Sequence, residues 1–575
     1  MRIVNRIFDL ENSSFSQATS PLLQRIYQAR GLHSDADLSL QLSKLPSPNL
    51  MLGIDTAVEL LVEALESQQR VVIVGDFDAD GATSSALMLL ALRAMGFESV
   101  DFLVPNRFDY GYGLTPEIVE LAQQKQPHMI ITVDNGISSI EGVDYANTLG
   151  IKVIVTDHHL PGKQLPAAAA ILNPNQPDCQ FPCKNLAGVA VAFYLLTALR
   201  AKLREQDWFV KNTIQEPNMA HYLDLVALGT VADVVPLDQV NRALVHQGLM
   251  RIRAGYGRPG INALLKIAGK NPAQIVASDM GFAVAPRLNA AGRLDDISYG
   301  IQCLITDDPR EALERAQELE QFNQDRKAIE RDMQIEALKI VENLALAEQE
   351  QLPAALCLYQ ADWHQGVVGL LASRIKEKFH RPVAVFARDD SGTLKGSVRS
   401  IPGLHIRDAL DAVATKNPGL ITKFGGHAMA AGLSLMESQF DQFQKALEQQ
   451  VATTIDPHDL EATLQTDGQL DVRDFSMHTA ALLRDAGPWG QAFPEPCFEG
   501  EFELQSQRIV GANHLKVTLS PDAQKAVGID GIYFNVDSHI WPTAATRVRC
   551  VYRLDINEFR GRESLQLLIQ YMEPI

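Results

Sequence analysis

Four short apolar runs constrain the fold of this chain more than any other feature. "RVVIVGD" (70–76), "SVDFLVP" (99–105), "HMIITVDNG" (128–136) and "IKVIVTDHH" (151–159) are β-branched and almost wholly apolar. Strands read this way when both faces are covered, as in a parallel sheet; a strand with one wet face would alternate. Helix-like segments such as "ATSSALMLLALRAM" (82–95) lie between them. The alternation predicts an α/β class with a doubly wound parallel sheet.

At 575 residues the chain is too long for a single core. Residues 1–48 are polar and predict a peripheral segment, and residues 49–305 carry the parallel sheet. Within 306–352, Asp308 followed by Pro309 is a helix start, and no Gly or Pro occurs from Arg310 to Leu352. This predicts a solvated helical linker, roughly 65 Å long if unbroken. Residues 353–455 read as a smaller α/β domain, with "AALCLYQ" and "PVAVFAR" as strands around a helix. In 456–575, apolar and polar residues alternate between Gly, Asn and Asp turns, predicting a small antiparallel β-barrel of the OB type.

The strand ends carry the chemistry. Asp76, Asp78 and Asp80 close the first run, Asp134 the third, and Asp157, His158 and His159 the fourth. In open α/β sheets ligands sit at the carboxyl edge near the topological switch point, so these groups should converge. Like charges this close repel unless something offsets them. Taken alone, "VGDFDADG" and "VDNG" could be turns, and "DHH" a cap plus a core histidine. All of them at one sheet edge points to divalent cations: carboxylate and imidazole suit Mn²⁺ or Mg²⁺, and two ions would form a phosphoryl-transfer site. "GDFDADG" is also not the GxGxxG of a dinucleotide site, where acids would repel a pyrophosphate.

Composition limits the alternatives. The net charge of −19 argues against coating nucleic acid through bulk charge, so a polyanionic substrate needs a local basic groove or bound cations. The start "MRIVNRIFDLENSS" does not read as a signal peptide. The apolar stretch "GVAVAFYLLTAL" (188–199) is too short to span a bilayer. The six scattered cysteines fit reduced core residues, giving a cytoplasmic expectation with no membrane partner.

Further segments offer substrate contacts. "PRLNAAGR" sets Arg287, Asn289 and Arg293 among small residues, which reads as a loop that a phosphate backbone can approach. "KGSVRS" offers Ser397 and Arg399 for a terminal phosphate. "FGGH" offers Gly425, Gly426 and His427, where glycine permits close approach. "PNRFDYGYG" interleaves Arg107 with Phe108, Tyr110 and Tyr112, suited to stacking beside phosphate contact.

"GDFDADGATS", "VDNG", "DHH" and "ALGTVADVVPL" (227–237) resemble the motifs of the DHH phosphoesterase superfamily. "KFGGHAMAAGLSL" (423–435) is similar to the GGH motif of its accessory DHHA1 domain. With "APRLNAAGRL" (285–294) and the OB-like tail, the resemblance narrows to that superfamily's single-strand-specific DNA exonucleases. It implies metal ligation by Asp78, Asp80, Asp134, His158 and Asp233, the last of which competes with Asp224 and Asp238 on chemistry alone. Asp76 and His159 would be catalytic beside them, either on the metals or orienting water and phosphate. It further implies two Mn²⁺ or Mg²⁺ ions and 5′-to-3′ hydrolysis of single-stranded DNA to 5′-mononucleotides in repair and recombination. A monomer working with single-strand-binding protein and a helicase is implied as well. The alternatives are hydrolysis of pyrophosphate, short RNA or cyclic dinucleotides, and a non-catalytic DNA-binding scaffold.

Overall fold

The computed structural model describes every residue except 9–12, 107–109, 111, 348–351, 390, 512, 522–527, 538 and 560. The chain divides into two compact units, residues 5–320 with 465–575, and residues 1–4 with 321–464.

The first unit is built on five parallel strands in the order Val100–Leu103, Val71–Gly75, Met129–Val133, Lys152–Thr156, Ala170–Leu172. The first of these in sequence, Val71–Gly75, has its sequence successor on one side and Met129–Val133 on the other, so the switch point lies between those two. Val72, Val74, Ile130, Val153 and Val155 pack under helices Pro116–Gln123 and Ile140–Thr148. Helices Ile54–Glu66, Ala79–Ala94 and Gly188–Glu205 also contact the sheet strands. Helix Ala79–Ala94 is buried on nearly every side because Leu223–Ala232 and Gly188–Glu205 flank it, so its apolar residues need no single stripe.

The same unit holds a closed five-stranded barrel, ordered Phe498–Val510, His514–Ser520, Ile529–Tyr533, Arg562–Pro574, Arg547–Phe559. Expected to be antiparallel, it contains one parallel pair, Ile529–Tyr533 with Arg562–Pro574. The fourth strand in sequence closes the barrel on the first, so the last must return between it and the third.

The early polar segment is bound into this unit. In helix Pro21–Gln28, the Tyr27 hydroxyl donates to the Ala486 carbonyl at 3.0 Å. Arg30 pairs with Asp467 at 2.7 Å, with both side chains buried. Arg242 lies 4.5 Å over the Phe493 ring, and the Leu237 amide donates to the Gln491 carbonyl at 2.8 Å.

The helix Pro309–Ala347 starts where expected, with the Arg310 amide donating to Asp308 Oδ1 at 2.8 Å. It is not merely solvated. Ala312, Ala316 and Leu319 are buried, and Met333, Ala337 and Val341 belong to a core of the second unit.

That second unit is a mixed sheet, Lys423–Gly426, Ala430–Met436, Thr393–Arg399, Val383–Arg388, Leu356–Tyr359. Only the last two are parallel. Leu394, Val398, Ala431, Leu433 and Leu435 face one core, while Val383, Val385 and Ala387 pack with helix Val368–Phe379 in another.

Candidate metal centre and nucleic-acid interface

Asp76, Asp134 and Asp157 each follow the last residue of a parallel strand, so the sheet brings them to one edge at the switch point. Two residues here hold left-handed backbone, Asp134 (φ 63°) and Val234 (φ 60°), the latter β-branched. Such conformations cost about 1–3 kcal/mol each and persist where the surroundings fix them.

His158 is the focus. Its Nε2 lies 3.1 Å from Asp134 Oδ1 and 3.4 Å from Asp233 Oδ2. Both carboxylate oxygens are buried and make no hydrogen bond. Three sets of potential ligand atoms lie within 4.8 Å of one another: Asp134, His158 and His159; Asp80, His158 and Asp233; Asp76, Asp78 and Asp134. Asp134 and His158 each belong to two sets, so adjacent cations could share them. Buried, unbonded oxygens beside imidazole are a donor set that fits Mg²⁺ or Mn²⁺.

Asp78 and Asp80 are pinned instead by backbone. Asp78 caps helix Ala79–Ala94, accepting from the amides of Asp80 (2.9 Å) and Gly81 (3.1 Å). Asp80 accepts from Gly188 (2.6 Å) and Val189 (3.0 Å) at the start of the next buried helix. Two helix amino termini therefore meet the acids, an arrangement that favours negative charge. Gly188 is required: a Cβ there would lie 2.6 Å from Asp134 Cβ and 2.7 Å from its Oδ1.

Burial first, and charge crowding after it, show in the proton affinities. Burial, then Asp78, pushes the Asp80 carboxyl up to about 7. Burial and Asp80 drive Asp134 and Asp233 well above the ordinary carboxylate range. Asp157 behaves oppositely. Burial opposes its ionisation, yet bonds from the His159 ring and the Ile137 amide leave it below the usual value. Its Oδ1 lies 2.7 Å from His159 Nδ1, which orients that ring; burial lowers the His159 pKa but the partner carboxylate raises it on balance.

The segment read as a phosphate-binding loop is a helix, Ala285–Leu294, preceded by a π turn, Met280–Val284. Pro286 sits in its first turn, where proline is tolerated. Arg287 is not a free fork: it is buried, donates to the Ala283 carbonyl and pairs with Glu320 at 2.6 Å. Asn289 Oδ1 accepts from the Ala79 amide at 2.7 Å, so it braces the acidic turn. A Cβ at Gly292 would meet the Phe77 carbonyl at 2.1 Å, which explains the small residues as helix-to-turn packing. Arg293 is half-buried on the same helix. The Tyr112 hydroxyl lies 3.3 Å from the Asp134 carbonyl and equally far from the His159 ring nitrogens. Arg107 and Phe108 lie outside the described residues.

In the second unit, Ser397, Gly432 and Gly425 form one row across three strands, and Lys395, Ser434 and Lys423 the next row on the same face. Arg399 follows at the register of Ala430, its Nη1 donating to Ser397 Oγ at 2.9 Å. Lys395, Lys423, Gly425, His427 and Gly432 are exposed. Gly426 bends the edge strand (φ 146°), and the His427 amide donates to the Ala430 carbonyl at 2.8 Å. The result is a basic sheet face with bare backbone at its centre, present despite the net charge.

Some contributors were not legible beforehand. Asn135 Nδ2 donates to the carbonyls of Val74 (3.1 Å) and Val133 (2.9 Å), tying two ligand-bearing strand ends together. Read alone, "VDNG" was only a turn.

Three domain-family models match the chain: the DHH family, N-terminal domain (residues 70–230), the DHHA1 domain (352–453) and the RecJ OB domain (466–571). The chain is 56% identical to the single-stranded-DNA-specific exonuclease RecJ of Dickeya dadantii over 96% of each chain. It is 54% identical to that of Escherichia coli over 98% of each. The chain belongs to the RecJ family. A crystal structure of RecJ from Thermus thermophilus in complex with Mn²⁺ matches 100% of this chain and 79% of its own, with TM-score 0.80 and 29% identity. The Mg²⁺ complex of the same protein gives TM-score 0.74 and 27% identity over 100% of this chain and 78% of that one. Among the described residues, no helix of this RecJ-family chain is long and apolar enough to cross a membrane.

Proposed function

We propose that this chain is a metal-dependent exonuclease that degrades single-stranded DNA from the 5′ end to 5′-mononucleotides. The observation that carries this is the convergence of the buried, unbonded Asp134 and Asp233 oxygens on His158 Nε2, inside a cluster where each further acid raises the next. Family membership supplies the substrate: relatives sharing more than half the sequence are named single-stranded-DNA-specific exonucleases. Two Mn²⁺ or Mg²⁺ ions held by Asp78, Asp80, Asp134, His158 and Asp233 would activate a water molecule and neutralise the leaving oxygen.

The remaining roles belong to the protein. Asp157 holds the His159 ring with its proton at Nδ1, and Asp76 and His159 orient water and phosphate beside the ligands. Tyr112 and Arg293 contact the strand near the acids, Arg287 and Asn289 position the helix that carries Arg293, and Arg107 is kept as a phosphate contact on the sequence motif alone. Ser397, Arg399, Gly425, Gly426 and His427 receive the 5′-terminal phosphate and adjoining backbone. Family membership supports a setting in cytoplasmic DNA repair and recombination. A monomer contacting single-strand-binding protein and a helicase rests on resemblance alone.

The test is hydrolysis of single strands labelled separately at each end, with Mn²⁺. Stepwise loss from the 5′ end is expected, abolished by EDTA and by Asp134→Ala, with the variant's fold intact because removing one acid relieves repulsion. Near wild-type hydrolysis by Asp134→Ala would overturn the assignment.

A further inference from the structure

The helix that braces the acidic turn also continues, through the turn before it, to an exposed aromatic residue that nothing above uses. Along it and the π turn before it, Phe282, Pro286, Asn289 and Arg293 are all at least partly open, at spacings of four, three and four residues. These spacings place them on one face. Asn289 is bonded to the Ala79 amide between Asp78 and Asp80, so the row runs alongside the metal-binding turn. At its far end Phe282 is 85% exposed, a full aromatic ring left in water. The π turn carrying it backs onto helix Leu223–Ala232, since a Cβ at Gly281 would lie 3.2 Å from Val231 Cγ1, two residues before Asp233. Phe282 is thus anchored to the two segments that supply Asp78, Asp80 and Asp233. π turns are rare and often occur at functional sites.

We infer that Phe282 is a base-stacking residue that takes a nucleobase of the bound single strand. This rests on the exonuclease reading above and adds the stretch of strand beyond the hydrolysed linkage. From Arg293 to Phe282 the row rises roughly 16 Å at 1.5 Å per residue, so a strand with a phosphate at Arg293 would present a base several nucleotides away to Phe282. An aromatic face accepts every base, which suits an enzyme that must advance along any sequence.

The test is binding of short 5′-phosphorylated single strands with hydrolysis-resistant phosphorothioate linkages, by fluorescence anisotropy in Mn²⁺, so that it does not depend on hydrolysis. A single abasic site is moved along the strand, for the full chain and for Phe282→Ala and Phe282→Trp. The unaltered protein should lose roughly 5- to 150-fold affinity when the abasic site falls at one particular position. Phe282→Ala should lose a similar factor on intact strands and no longer respond at that position, while Phe282→Trp retains both. Unchanged affinity of Phe282→Ala, or an equal loss on intact strands and on those abasic at that position, would overturn the assignment. Failure of the unaltered protein to bind single strands at all would overturn the exonuclease reading itself, and this one with it.

Discussion

Substituting Gly188 by alanine tests the acid cluster without removing any ligand. The added Cβ would sit 2.6 Å from Asp134 Cβ, 2.7 Å from its Oδ1 and 2.8 Å from its Cα. Ordinary carbon contacts lie at about 3.5–4.0 Å, so the helix start and Asp134 must part by roughly 1 Å. Neither side yields easily: Asp134 has left-handed backbone at a strand end, and Gly188 opens a buried helix while donating to Asp80 at 2.6 Å. Overpacking of this kind costs about 1–3 kcal/mol, which should leave the protein folded. A 1 Å error in a reacting constellation costs on the order of 100-fold. We therefore expect kcat/KM on single-stranded DNA to fall roughly 100-fold for Gly188→Ala, with more Mn²⁺ needed for half-maximal rate. Steady-state rates across a Mn²⁺ titration, alongside thermal unfolding, would measure both. Wild-type kcat/KM with an unchanged Mn²⁺ requirement would refute the placement of Asp134 at the reaction centre.

Three further outcomes follow from the same geometry. Asp80, raised to about 7 mainly by burial, binds its proton more tightly folded than unfolded; its contribution is full below the ordinary carboxylate value and is lost as pH rises through 7. In chelator, thermal stability should therefore fall between about pH 4 and 7, less steeply for Asp80→Asn; a flat or rising profile for the unaltered chain would contradict this. Arg399→Ala should impair cleavage of 5′-phosphorylated strands roughly ten- to a hundred-fold more than of 5′-hydroxyl strands, as charge-assisted bonds imply; equal losses in kcat/KM would make Arg399 a general backbone contact. Asp467→Ala would strand Arg30, whose side chain is 1% exposed, and should destabilise the chain by about 3–5 kcal/mol in urea unfolding; an unchanged midpoint would show that the pair does not join the early helix to the barrel domain.

The parallel sheet was legible because burial on both faces leaves little freedom in composition, and each of the four runs encloses an observed strand. The fifth strand, Ala170–Leu172, is only three residues long in an alanine-rich stretch, too short for any period to register. "KGSVRS" and "FGGH" read as donor-rich segments rather than strands because glycine and lysine are poor strand formers. The sheet seats them because Leu394 and Val398, on the far face, share a core with Leu433 and Leu435 of the neighbouring strand and with Phe443 of helix Phe440–Thr454. "PRLNAAGR" misled in the other direction. Its glycine and alanines suggested a loop, whereas they allow a helix to approach the Phe77 carbonyl. Close packing between distant segments leaves a local sequence signal indistinguishable from flexibility.

The site also shows how acids can be concentrated without a matching set of basic side chains. Asp80 gives both oxygens and Asp78 its Oδ1 to four backbone amides at two helix starts, leaving Asp78 Oδ2 for a cation, and Asp157 is satisfied by the Ile137 amide and the His159 ring. Amides cannot be titrated away and hold these carboxylates at fixed positions whether or not a cation is bound. Asp134 and Asp233 differ: each keeps a buried oxygen without a hydrogen bond, aimed at His158. Without a cation these two acids, and Asp80 despite its amides, meet their burial by holding protons, hence the upward shifts from burial and neighbouring acids. Cation binding must then release those protons, so affinity for Mn²⁺ should rise with pH while the amide-bound acids keep their geometry. The division separates acids that define where the ions sit from acids that make the place worth occupying.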